Sequence, residues 1–357
     1  MPDEPPATGS QPPPRQRRPQ LTERPTLRTL AERTGFSVTA VSRALKDGPE
    51  LSLETRTLVK KAADELGYRP NRAGVRLRTG RSYVICFIMN QEDAINQFGR
   101  KMLIGASATM RPTSYHLVVM PQFVDQAPLD LVRYVVETNA ADGLIITHTT
   151  PQDERVKYLL ERGFPFIAHG RTELATPHAY YDYDNFAFAY QATLRLIGRG
   201  RRRIALVRPP LKFTYSHFQL GGYMRAVQEH GLEPIIPDTV TLDTPPLRMR
   251  AFALESGRGE DAPDGYVCGS EDRCLGLVTG LQAAGLRIGR DVDVVAKQTS
   301  DLLDYVAPPL DALTEDLGLA GAELVRLLMR SIDGDPVDEL QMLEQPAWRI
   351  RAAEARR

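Results

Sequence analysis

From Arg81 onward short apolar runs alternate with helical patterns, and this alternation restricts the fold more than any other feature of the chain. The runs are SYVICFIM, HLVVMP, DGLIIT, FPFIA, RRRIALV, DGYVCG and VDVVA. Between them, spacing predicts helices over Phe98–Met110, Pro128–Thr138, Glu154–Arg162, Asn185–Ile197, Gln219–His230 and Asp272–Ala284. The stretch from FPFIA to Tyr183 reads as a loop. Strand and helix in strict turn predict parallel sheets covered by helices on both faces. Ligands of such sheets bind at the carboxyl ends of the strands. The rhythm fits one barrel or two doubly wound lobes, and no internal repeat decides between them.

Ahead of this body, Thr26–Lys46 has another grammar. Leu27, Leu30, Ala31 and Thr34 recur at helical spacing, and Gly35 follows where a helix end needs a left-handed residue. Ser37 suits the N-cap of a second helix. Val38, Val41 and Leu45 would face the first helix, leaving Thr39, Ser42 and Arg43 outward. Two helices about a tight turn are the layout of a helix-turn-helix, or of an ordinary helical hairpin. Ser52 can cap a third helix, with Leu58, Ala62 and Leu66 inward and Gly67 at its end. A short helix over Arg72–Leu77 follows, carrying Gly74 inside it. So few residues cannot hold a helix alone in water, and DNA is a candidate to stabilise it.

Charge divides along the same line. Of the 357 residues, the first 81 hold 16 Lys and Arg against 9 Asp and Glu, or +7, and the remainder carries −7. A basic head on an acidic body is the footprint of a polyanion-binding module joined to a different domain. No apolar run is long enough to span a membrane, and residues 1–25, rich in Pro and Arg, lack the apolar core of a secretory signal and read as a disordered tail. Cys86, Cys268 and Cys274 form no metal-ligating or CxxC spacing, so a reducing cytoplasm is expected, with no metal and no cofactor. No P-loop, GxGxxG, HExxH or GxSxG motif is present, which points away from an enzyme. Asp182 and Asp184 flank Tyr183, where the start of a capped helix is a better account than a metal pair.

The stretches TLAERTGFSVTAVSRAL, LGYRPNRAGVRL, ADGLIIT, DNFAFAYQAT, RRRIALV, VCGSEDRCLGL and PPLDALTEDLGLAGAELVRLL follow one another across about residues 26–330. In their order and spacing the chain resembles the lactose-repressor/galactose-repressor family of bacterial transcription regulators. The resemblance implies an α plus α/β protein with a helix-turn-helix head (26–70), a hinge (71–80) and a two-lobed, doubly wound body like that of periplasmic sugar-binding proteins (81–345), ending in a tail (346–357). It implies a homodimer on a near-palindromic operator and an effector between the lobes. An α/β sugar-processing enzyme, a stand-alone sugar-binding protein and a co-repressor-dependent regulator are the alternatives.

By the same resemblance, Val38, Thr39 and Arg43 would read base edges, and Arg43 can pair bidentately with guanine. Thr26, Leu27, Ser37, Ser42, Ser52 and Thr55 would position the head on phosphates, and Asn71 and Arg72 would lie near the backbone. Leu77 would wedge into the minor groove. The effector set would be Phe98, Thr147, His169, Arg171, His217, Gln219, Ser270, Gln298 and Glu315. Gly170, Gln219 and Gln298 stand where the family carries an aspartate, an arginine and another aspartate. Neutral groups in place of charged ones imply a neutral, hydroxyl-rich ligand, a sugar, as in regulators of α-glucoside uptake.

Overall fold

The computed structural model describes residues 25–69, 74, 76, 79–91, 97–259 and 261–350. The tail up to residue 24 and the expectations placed on Asn71, Arg72 and Leu77 lie outside the described residues, and of the short helix expected over 72–77 only Gly74 and Arg76 are described, both helical. Two compact units divide the chain, residues 1–81 and 82–357.

The head is three helices, α1 (Leu27–Thr34), α2 (Val38–Ala44) and α3 (Leu53–Leu66). Each begins on a hydroxyl cap: Thr26, Ser37 and Ser52 accept from Thr29 N, Ala40 N and Thr55 N at 3.2 Å each. Such a cap contributes about 1 kcal/mol. Gly35 and Gly67 close α1 and α3 in the left-handed conformation. The core is Leu30, Val41, Ala44, Val59, Ala62 and Ala63, with Leu27, Leu45, Leu66 and Tyr68 against it. Two expectations fail here. Val38 is 45% exposed and Leu58 47%. The inward stripes are instead 41/44/45 on α2 and 59/62/63/66 on α3. Each keeps the three- and four-residue spacing of one helical face, so Ala62 and Leu66 lie inward as expected and only Leu58 falls outside the stripe.

The body is two doubly wound lobes and not a barrel. The amino-terminal lobe holds a parallel sheet of order β10-β5-β4-β3-β1-β2. Its strands are β1 (Val84–Asn90), β2 (His116–Gln122), β3 (Gly143–Ile146), β4 (Phe166–His169), β5 (Tyr180–Tyr183) and β10 (Gln341–Glu344). In β1, Ile85, Phe87 and Met89 face α4 (Gln97–Met110) and α11 (Leu317–Asp333), whereas Cys86 and Ile88 face α5 (Pro128–Glu137) and α6 (Glu154–Arg162). The carboxyl-terminal lobe has the order β11-β9-β8-β7-β6. These are β6 (Ile204–Val207), β7 (Gly265–Cys268), β8 (Asp293–Gln298), β9 (Asp311–Thr314) and the antiparallel β11 (Ala347–Arg349). Its faces are covered by α7 (Asn185–Gly198) and α8 (Thr214–Glu229) on one side, and by α9 (Pro246–Ser256) and α10 (Glu271–Ala283) on the other.

The chain crosses between lobes after β5, after β9 and after β10. The loop expected up to Tyr183 therefore contains a strand, and the sheet runs past residue 345 into the expected tail, where Trp348 pairs with Leu313. Cys86, Cys268 and Cys274 are free and buried. Among the described residues no helix is long and apolar enough to cross a membrane.

Candidate functional sites: the outer face of α2 and the cleft between the lobes

On α2, Val38 with Ser42 and Thr39 with Arg43 are spaced four apart, which sets all four on one outward side of the helix. Val38, Thr39 and Arg43 are exposed, and Ser42 is half-buried. Thr26, Ser37 and Ser52 are exposed at helix starts, where unpaired amides and the helix dipole favour a phosphate. Ser52 Oγ also lies 2.9 Å from Thr55 Oγ1. Leu27 packs on the head core, so only its backbone remains for such a contact.

In the body, the carboxyl ends of the strands of both lobes meet at one cleft. Its centre is Glu315, just beyond β9. Its Oε2 pairs with Lys297 Nζ of β8 at 2.6 Å, and its Oε1 lies 3.5 Å from His169 Nε2 at the end of β4. Burial alone would raise this carboxyl, but Lys297, together with His169, outweighs it and lowers it to about 2. The Lys297 ammonium also sits 5.0 Å from the Tyr183 ring centroid, at the end of β5. Tyr183 continues the site: its carbonyl accepts from Asn185 Nδ2 at 3.0 Å, and Asn185 Oδ1 accepts from Gln219 Nε2 at 2.9 Å.

Two enclosed polar atoms in this chain of residues have no hydrogen-bond partner, Tyr183 Oη and Gln219 Oε1, and His169 Nε2 has only its long 3.5 Å approach to Glu315 Oε1. Beside them stands an aromatic wall drawn from both lobes. Phe98 lies 5.7 Å from His169 and 6.1 Å from His148, and His148 lies 5.2 Å from Phe213 and 6.2 Å from Tyr215. His148 occupies a left-handed conformation at φ +54°. Arg155, paired with Asp153 at 2.7 Å, donates to the carbonyls of Thr147 and His148 and so fixes this turn.

Other expected effector residues are engaged by the protein itself. Arg171 Nε pairs with Asp182 at 2.7 Å, and its guanidinium covers the Phe218 ring of the other lobe at 4.1 Å. Burial holds the Asp182 carboxyl above its usual range even so, because one ion pair does not replace full hydration. His217 bridges to Glu173 across the cleft at 2.8 Å. Thr147 is buried, with Oγ1 3.3 Å from His148 Nδ1. Ser270 donates to Asp272, and the Gln298 amide donates to Ser300 O at 2.6 Å and Asp304 at 3.2 Å. Phe98, His169, Gln219 and Glu315 are thus brought together, whereas Ser270 and Gln298 are tied into their own lobe. Tyr183, Lys297, His148 and Phe213 were not foreseen, though each lies at or just beyond a strand's carboxyl end or in the loop before α8.

The cleft is not the neutral surface that the lost family charges suggest. Its charges are present but paired, Glu315 with Lys297 and Asp182 with Arg171. Asp184 caps α7 through Ala187 N at 2.9 Å. No group of three or more His, Cys, Asp or Glu among the described residues could hold a metal.

Comparison with known proteins gives two domain matches. Residues 26–71 match the model of bacterial regulatory proteins of the lacI family, and residues 193–353 match a periplasmic binding protein-like domain. The transcriptional regulator AglR of Rhizobium meliloti is 32% identical over 337 residues, covering 90% of this chain and 91% of that protein. The transcriptional regulator RafR of Escherichia coli is 30% identical over 335 residues, covering 90% and 96%. Among solved structures, the complex of the transcriptional regulator CelR with cellobiose is 26% identical, with a TM-score of 0.66, and covers 92% of this chain and all of that one.

Proposed function

Because the chain belongs to the lacI family of bacterial regulatory proteins and is a DNA-binding transcription regulator, we propose that it represses genes of sugar uptake and breakdown and leaves its operator when a neutral saccharide binds between its lobes. The observation that carries this is the pair of unpartnered polar atoms, Tyr183 Oη and Gln219 Oε1, close to the imidazole of His169. An imidazole nitrogen, a phenol and an amide oxygen together match the mixed donors and acceptors of sugar hydroxyls. The aromatic wall of Phe98, His148 and Phe213 suits the apolar face of a sugar ring, and Lys297 and Arg171 are each committed to a buried carboxylate. The cellobiose held by CelR supports the same ligand class.

The cleft acts as a sensor in this proposal and not as an enzyme. Glu315 faces a cation or an imidazole on each oxygen and titrates near 2, far from a working general acid. A homodimer on a near-palindromic operator, in the compartment that holds the DNA, completes it. Isothermal titration of the full-length protein against neutral mono- and oligosaccharides, sugar phosphates and nucleosides tests the ligand class. A neutral sugar is expected to bind and to release operator DNA; binding of phosphorylated compounds alone would overturn it.

A further inference from the structure

Arg43 is the strongest base-pairing group on the outward side of α2, and it already has a partner. Its Nε lies 3.4 Å from Oε1 of Glu50, with the two side chains 60% and 46% exposed. An exposed pair of this kind adds little to the stability of the head. Its place, however, is built by the surrounding loop. After α2 the chain doubles back, and Arg43 O accepts from both Lys46 N and Gly48 N at 3.0 Å. Asp47 holds φ +58°, and α3 anchors it there: Lys60 Nζ donates to its Oδ1 at 2.6 Å and Arg56 Nη1 to its carbonyl at 3.3 Å. Leu51 N then closes the turn on Gly48 O at 3.2 Å. A loop tied to α2 at one end and to α3 in its middle thus delivers Glu50 to Arg43.

Building on Arg43 as the guanine-reading residue, we propose that Glu50 is a positioning residue for base readout. It holds the Nε edge of Arg43 and leaves the two terminal nitrogens as the fork that guanine O6 and N7 accept from. A guanidinium restrained in this way loses less rotamer freedom when it meets its base. The carboxylate beside it also weakens its attraction to phosphate. The pair therefore biases Arg43 away from the backbone, which carries no sequence information, and toward base edges.

The test uses the full-length protein and duplexes selected by it from a randomised library. Binding to the selected site, to each of its single-base variants and to random-sequence DNA is measured by fluorescence anisotropy at two salt concentrations. Arg43→Ala identifies the base pair that Arg43 reads, as the position where discrimination disappears. At that same position Glu50→Ala is expected to lower discrimination about 2- to 5-fold, the range of an exposed ion pair, while binding to random-sequence DNA tightens. Glu50→Gln keeps an acceptor oxygen without its charge. It should recover most of the discrimination and keep the tighter non-specific binding. Uniform tightening by Glu50→Ala, with discrimination unchanged, overturns the proposal, as does a loss of discrimination at every position accompanied by a lower melting temperature. If Arg43→Ala itself removes discrimination nowhere, the assignment of Arg43 fails, a result distinct from failure of Glu50 alone.

Discussion

Glu315 joins the two lobes chemically, because its partners come from the ends of β4 and β8. Its carboxyl titrates near 2 in the folded protein against 4.5 for the free group. A depressed acid contributes stability that is fully present above about 4.5 and is lost as pH falls from there toward 2. The shift corresponds to about 3 kcal/mol. The urea midpoint should therefore drop across that window, and Glu315→Gln should flatten that part of the profile. At neutral pH Glu315→Gln leaves Lys297 nearly buried without a counter-charge and should cost about 3 kcal/mol. The double variant with Lys297→Met should cost less than either single change, and strict additivity in urea unfolding would show that the pair is not coupled. Tyr183 offers the opposite kind of test. Its hydroxyl has no partner in the protein, so Tyr183→Phe should leave the melting temperature unchanged while weakening sugar binding about 3- to 10-fold, the worth of one neutral hydrogen bond. A melting loss with unchanged affinity would remove Tyr183 from the effector site.

At the scale of elements, the two helices of the amino-terminal lobe that cross most closely are α4 and α11, and their contact depends on small residues. A Cβ on Gly321 would fall inside the carbonyl of Met102, and one on Gly105 inside the carbonyl of Gly318. Gly321→Ala should push the helices apart and destabilise the protein by about 1–3 kcal/mol, read as a lower urea midpoint. From sequence alone such glycines only weaken a helical pattern, since the backbone they admit lies more than 200 residues away in the chain. The same distance explains what else was hidden. Strands β1 and β3 and helix α6 stand out locally, because burial on both faces makes strands continuously apolar and α6 carries its own caps. Helix α9 does not, as it starts at Pro246 and buries only Met249 and Ala253 behind exposed arginines. Strands β10 and β11 are three or four residues long and gain order only by pairing with Tyr180–Tyr183 and Asp311–Thr314. The cleft follows the same rule. Strand ends could be located, but that Lys297 neutralises Glu315, or that Tyr183 lacks a partner, depends on neighbours brought together only by the fold.

For the whole molecule, the lobes are joined by three chain crossings, and contacts across the cleft add to them. Those contacts are specific and few. Thr214 N and Oγ1 donate to Thr149 O at 3.0 and 3.2 Å, His217 meets Glu173, Lys101 Nζ donates to Thr299 O at 2.9 Å, and Arg171 covers Phe218. None of them needs a ligand atom, yet all are lost if the lobes part. In a sensor whose effector prefers the closed form, such contacts favour closure in the same direction as the effector. Apparent affinity scales with the fraction of molecules already competent to bind. Phe218→Ala removes the ring beneath Arg171, a cation–π contact of about 0.5–2 kcal/mol. The half-maximal sugar concentration for operator release should rise about 2- to 30-fold. By reciprocity, operator affinity without sugar should stay the same or tighten, never weaken. Gel shifts of the full-length variant across a sugar titration measure both quantities together. A variant that releases DNA at the wild-type sugar concentration would show that the Arg171–Phe218 contact does not contribute to closure.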